Sequence, residues 1–272
     1  MNSTTGRKAA LAATATAVAV TSLTSLAPAV AEDRHGSEPK PTVVLVHGAF
    51  ADASGWNDTA DRLRRLGFPV KAVANPLRGP ANDAAYLQGL LKGVKGPKIL
   101  VGHSYGGAVI TNAAPGIADV KALVYVAAFM PAEGESLGGL LAGAGAPDLP
   151  AQPFEYTRPD GTVSTEIALD PERFRDTFAA DVPAGAAAQM AAAQRPIAAE
   201  AFGQPLKQAG WKTVPTWVLV ARNDHALPPA LQRTMAARAK ARTTEVASSH
   251  ALMVSHPGAV ADAVRDAYRS TR

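Results

Sequence analysis

From Pro41 onward, short apolar runs alternate with stretches whose apolar residues recur at helical spacing. Residues 42–47 are apolar at nearly every position, as expected of a central parallel strand covered by helices on both faces. Residues 55–66 place Leu63 and Leu66 on one side and Asp58, Asp61, Arg62, Arg64 and Arg65 on the other, a helix that Gly67 stops. The pattern then predicts a strand over 68–73, a helix over 81–94, a strand over 98–103, a small-residue helix over 108–114 and a strand over 122–128. It resumes with a strand over 216–221, a helix over 229–241 opened by proline, a last strand over 243–247 and an amphipathic helix over 257–269. Such alternation implies right-handed crossovers and an α/β fold with a doubly wound, mostly parallel sheet.

Between Pro131 and Lys207 the alternation breaks. Glycine, alanine and proline dominate, and helical pieces are expected over 171–180 and 185–194. Residues 131–207 are therefore expected to form a small helical cap, inserted after the strand that follows the 108–114 helix. Lids of this kind on a rigid scaffold set substrate choice.

Composition changes the picture mainly at the N-terminus. Residues 1–31 read as a secretory signal: Arg7 and Lys8 form the positive start, 9–26 a mildly apolar stretch diluted by threonine and serine, and Ala29-Val30-Ala31 an A-x-A cleavage site. The stretch is short for a spanning helix, so export is expected and a stable membrane anchor is not. Residues 32–41 read as a disordered lead-in, which leaves 42–272 as one domain; with 47% hydrophobic residues it can bury one sizeable core. Loss of Arg7 and Lys8 would lower the net charge of +4 by two, and no basic run or interleaved aromatic pattern suggests nucleic acid. The chain has no cysteine, which excludes disulfides, thiolate metal sites and a thiol nucleophile.

The candidate chemistry centres on Gly102-His103-Ser104-Tyr105-Gly106-Gly107, placed between a predicted strand and a predicted helix. A strand that turns into a helix at a serine is a nucleophile elbow, with the hydroxyl lifted above the sheet and glycines keeping side chains out of the crowded approach. Ser104 is the candidate nucleophile. The backbone N–H groups of Tyr105, next after it, and of Ala49, in the His47-Gly48-Ala49 turn after the first strand, are the candidate oxyanion donors. Asp224 follows the 216–221 strand and His250 follows the last strand, in the chain order serine, acid, histidine. Glu133 competes for the acid and His256 for the base, although Pro257 directly after His256 suggests a helix-start role. Phe50, Trp56, Tyr105, Phe129, Met130 and Met253 are candidates to line an apolar pocket, each also readable as plain core.

These elements together, the 43–49 strand and turn, the serine elbow, the Asp224 turn and His250, resemble the α/β-hydrolase superfamily over essentially residues 41–272. Within it the chain is similar to the small-cap branch of plant methyl esterases, hydroxynitrile lyases and many bacterial esterases. The resemblance implies a carboxylic-ester hydrolase acting on a small-molecule ester, with no cofactor and no metal. It also speaks against lyase chemistry, since lyases of that branch carry threonine where this chain has Gly48 and lysine where it has Ala251. A catalytically idle binding protein, and a lyase or cofactor-free perhydrolase working at the same three residues, are the competing readings.

Overall fold

The computed structural model describes residues 39–272; the expected signal peptide and most of the expected lead-in lie outside the described residues. Six parallel strands form one sheet: β1 (Thr42–Val46), β2 (Val70–Val73), β3 (Lys98–His103), β4 (Val120–Val126), β8 (Thr216–Ala221) and β9 (Arg242–Val246), ordered β2-β1-β3-β4-β8-β9. The continuous apolar runs are explained by two covered faces. Val44 and Val46 of β1, Leu100 of β3, and Leu123 and Tyr125 of β4 pack into one core, whereas Val43, Leu45, Ile99, Val101, Ala122 and Val124 pack into the other. Alternate side chains of a strand point to opposite faces, so both faces draw on the same run.

Helices α1 (Asn57–Arg65), α8 (Leu252–Ser255) and α9 (Pro257–Ser270) cover one face. Helices α2 (Pro80–Leu91), α3 (Tyr105–Ala113) and α7 (Pro229–Arg238) cover the other. Strand order reverses at β1, with β2 on one side and β3 on the other. The crevice at the carboxyl ends of such a pair is where ligands of open α/β sheets bind. It holds the His47-Gly48-Ala49 turn after β1 and Ser104 after β3.

The insertion between β4 and β8 differs from the helical cap expected of it. It contains helices α4 (Leu137–Gly143), α5 (Pro171–Phe178) and α6 (Ala184–Ala192), but also an antiparallel sheet of β5 (Ala151–Thr157), β6 (Val163–Leu169) and β7 (Ile197–Ala198). β5 carries Pro153 and polar residues because it is an edge strand, exposed along nearly its whole length, so no apolar alternation announces it. The turn did carry a signal: in Arg158-Pro159-Asp160-Gly161-Thr162 the Asp160 carboxylate accepts the Thr162 N–H at 3.0 Å and Gly161 takes φ +83°. No described helix is long and apolar enough to cross a membrane.

Candidate active site

Ser104 closes β3 with φ 52° and ψ −123°, a backbone region that non-glycine residues occupy only where the surroundings hold them there. The glycines around it explain how this is possible. A Cβ on Gly102 would lie 2.6 Å from the Gly106 carbonyl oxygen, and one on Gly106 would lie 2.5 Å from that of Val46. Strand, elbow and α3 thus approach more closely than any side chain permits.

Asp224 and His250 come from the ends of β8 and β9. Their side chains are buried, with His250 Nδ1 at 2.7 Å from Asp224 Oδ2. The carboxylate has three further donors: the N–H groups of Ala226 and Leu227 on Oδ1, each at 2.8 Å, and Gln232 Nε2 on Oδ2 at 2.8 Å. An ionised carboxylate only accepts, and four donors compensate a charge removed from water. Gln232 is itself fixed, accepting from Ala221 N at 3.1 Å and donating to Leu227 O at 2.8 Å. With Nδ1 committed to Asp224, Nε2 of His250 has no hydrogen-bond partner among the described residues.

Two groups hold the histidine from other sides. His103 donates through Nε2 to the His250 carbonyl at 3.0 Å, and its own pKa lies well below the ordinary histidine value because burial, and then the nearby His250, disfavour its charge. The Phe178 ring stands edge-on to the His250 ring, centroids 4.8 Å apart. Beside them, His47 donates from Nδ1 to Gly48 O at 2.9 Å and accepts the Asn75 N–H on Nε2 at 2.9 Å, which braces the turn that carries Ala49. Burial lowers its pKa as well.

Ser104, His250, Ala49 and Tyr105 border one small cavity of about 20 Å³. Tyr105 is the first residue of α3, a position whose N–H has no acceptor within the helix. Its side chain is anchored elsewhere, donating from its hydroxyl to Asp83 Oδ2 at 2.7 Å.

A family model described as "Alpha/beta hydrolase family" matches residues 43–263. The chain belongs to the alpha/beta hydrolase family. A carbendazim hydrolyzing esterase of Nocardioides sp. is 39% identical over 125 residues, which are 40% of this chain and half of that protein's length. The "Alpha/beta hydrolase nvfD" of Aspergillus novofumigatus is 26% identical over 251 residues, 84% of this chain and 96% of that protein. Among solved structures, that of polyneuridine aldehyde esterase superposes with a TM-score of 0.72 at 20% identity, covering 84% of this chain and 98% of that one.

Within this hydrolase fold the predicted pocket is corrected in part. Phe50 and Phe129 do line the cavity at Ser104. Met130 does not: it is buried in the core below, its N–H against the Met235 sulfur at 3.2 Å. Met253 and Trp56 do not either. Met253 on α8 faces a second small cavity with Met190 and the far side of Phe50, and Trp56 is fully buried between α1 and the sheet. The rest of the wall comes from residues the sequence did not single out: Leu141, Leu149, Phe178 and Phe202 of the cap, and Ala226 and Leu227 after Asp224. Gln232 was likewise missed, since a glutamine on a helix carries no sign that its amide reaches a carboxylate eight residues earlier. Of the rivals, Glu133 is exposed and pairs with Lys212, whose hydrogen bond lowers its pKa. His256 lies at the start of α9 and lines no part of the Ser104 cavity.

The approach of β1 to the elbow gives a prediction. A Cβ on Gly48 would lie 2.7 Å from Ser104 Cβ and 2.9 Å from the His103 carbonyl oxygen. Gly48→Ala is expected to displace Ser104, lowering kcat by about 100-fold and stability by about 1–3 kcal/mol. Activity and thermal melting within error of the parent protein would show that the elbow is looser than this packing implies. Threonine at 48, as in the lyases named above, would meet the same obstruction.

Proposed function

We propose that the protein is a serine esterase that cleaves carboxylic esters of small or medium size through an acyl-enzyme. The observation that carries this is the convergence at one cavity of a strained serine at a strand-to-helix turn and a buried histidine whose far nitrogen is held by a carboxylate at 2.7 Å. The esterase named among the relatives supports the same reaction class.

In this reading His250 Nε2 takes the Ser104 proton while Oγ forms a bond to the ester carbonyl carbon, and the carbonyl electron pair moves onto oxygen. The N–H groups of Ala49 and Tyr105 receive that oxyanion, and Asp224 stabilises the imidazolium and keeps the ring in the required tautomer. Collapse breaks the bond to the alcohol, which leaves with the proton from His250. Water, activated by the same histidine, then releases the acid and restores the serine.

A cavity of about 20 Å³ holds about one water, so an ester enters only when Leu141, Leu149 and Phe202 of the cap move aside. Among the described residues no aspartate, glutamate, lysine or arginine borders the space, which favours uncharged apolar groups beside the carbonyl. The test is turnover of p-nitrophenyl esters of increasing chain length, together with fluorophosphonate labelling mapped by mass spectrometry. Label on Ser104 with ester turnover is expected; binding of esters without either would favour the idle binding protein.

The proposal includes export, with residues 1–31 removed, on the pattern of that segment alone. Protein collected from the medium should begin near Glu32. A secreted form that still begins at Met1 would contradict cleavage.

A further inference from the structure

We propose that Asp181, in the corner between α5 and α6, is a positioning residue for His250, so that the cap is clamped to the catalytic base as well as forming the wall of the cavity. This rests on the esterase reading above.

The clamp begins at the end of α5. The Phe178 carbonyl accepts the Ala251 N–H at 2.9 Å and lies 3.3 Å from the Ser249 hydroxyl oxygen, and so touches the residues on both sides of His250. Asp181 completes it: its Oδ1 accepts the Ser249 hydroxyl, while its Oδ2 faces His256 Nδ1 at 3.7 Å. Burial opposes ionisation of the Asp181 carboxyl, but the Ser249 hydroxyl bonded to it, with the polar groups of Ser255 and Ser248 close by, outweighs burial and holds its pKa below the usual range. Behind this carboxylate, the Ser255 hydroxyl meets Ser248 Oγ at 3.0 Å and His256 Nδ1 at 2.9 Å, tying the start of α9 into the same cluster.

Ser255, His256 and Asp181 do not form a second triad. The serine and the carboxylate face the same ring nitrogen, Nδ1, so no proton can pass through the ring from one to the other. The cluster is a fastening. Its counterpart is on the acid side, where His225 donates from Nδ1 to the Asp176 carbonyl of α5 at 2.8 Å. One turn of one cap helix therefore touches the loops that carry both Asp224 and His250.

The loop from 247 to 251 lies outside helix and strand, and His250 depends on such contacts for its place. Loss of the Asp181 carboxylate leaves Ser249 without its main acceptor and frees the loop to shift. A misplacement of about 1 Å in a reacting group costs about 100-fold in rate.

The test uses the full chain, p-nitrophenyl acetate, and phosphonate titration to count active sites. In Asp181→Ala, kcat per titrated site should fall about 10- to 100-fold with KM within about threefold, because the cavity wall is unchanged. Asp181→Asn, whose carbonyl oxygen still accepts from Ser249, should recover most of the loss. The low-field proton resonance of the His250–Asp224 hydrogen bond should shift or broaden in Asp181→Ala, a readout that needs no turnover. Fewer titrated sites with normal kcat per site and an unmoved resonance would mean a merely structural role and would overturn the proposal. If Asp181→Ala does not fold, Ser249→Ala decides: a fall in kcat per site at constant KM supports the clamp, and parent-like kinetics overturns it. Absence of ester hydrolysis in the parent protein would instead remove the esterase reading, and the resonance would still test the clamp.

Discussion

Ser104→Ala is expected to abolish phosphonate labelling and to reduce ester hydrolysis to roughly 10³-fold over the uncatalysed rate, the level an oxyanion hole and binding alone sustain. The reasoning is that Ser104 supplies the only hydroxyl that borders the cavity with His250 among the described residues. Tyr105 offers none there, since its hydroxyl is spent on Asp83 and burial, with that carboxylate, raises its pKa. Substituting alanine at φ 52° adds no new clash at Cβ, so the fold should survive. Measured kcat close to that of the parent, in protein shown to be free of contaminating esterase, would place the chemistry elsewhere.

Asp224→Asn carries the second large effect, and its geometry makes the outcome specific. The Oδ1 position accepts two main-chain N–H groups, so the asparagine oxygen is drawn there. Its NH₂ group then faces Gln232 Nε2 and His250 Nδ1, both of which donate in the parent protein. Gln232 cannot turn over to relieve this, since its oxygen accepts from Ala221 N and its nitrogen also donates to Leu227 O. The imidazole is pushed into the wrong tautomer, with kcat expected to fall roughly 10³- to 10⁴-fold. The facing donors should lower stability by about 1–3 kcal/mol. Glu133→Gln, at an exposed pair with Lys212, should leave kcat within about tenfold, because that carboxylate touches nothing at the reacting centre. An inactive Glu133→Gln beside a near-normal Asp224→Asn, both folded, would reassign the acid to the loop after β4.

That Ser104 and Asp224 follow strands was legible in the sequence because the apolar runs of β3 and β8 are unambiguous, whereas β9 is largely polar and exposed, so the placement of His250 rested on chain order. The steric need for Gly102 and Gly106 is likewise local, written within a few residues of Ser104. What could not be read depends on how distant pieces dock. Phe178 and Phe202 look like ordinary apolar residues of a biased insertion until the cap folds over β3 and brings them to the cavity. Met253 was misplaced because nearness in sequence to His250 says nothing of which way α8 turns, and it turns toward Phe50 and Met190. The β5 strand of the β5–β6 hairpin was hidden for another reason: an exposed edge strand has no buried face to impose alternation, and the Pro-Asp-Gly turn was its plainest signal.

The position of the cap within the chain also bears on folding and on change over time. β4 and β8 pair in parallel near the middle of the sheet, yet the chain runs from Ala127 to Pro215 between them. Bringing the two ends together requires closing a long loop, whose entropic penalty grows only with the logarithm of its length, about 0.6 kcal/mol for a doubling. Residues added to or removed from the β5–β6 hairpin would thus alter loop-closure entropy very little and leave the β4–β8 register intact. The insertion can be remodelled to admit a differently shaped ester while the strand ends that carry Ser104, Asp224 and His250 are unaffected, provided the fastening at α5 is kept.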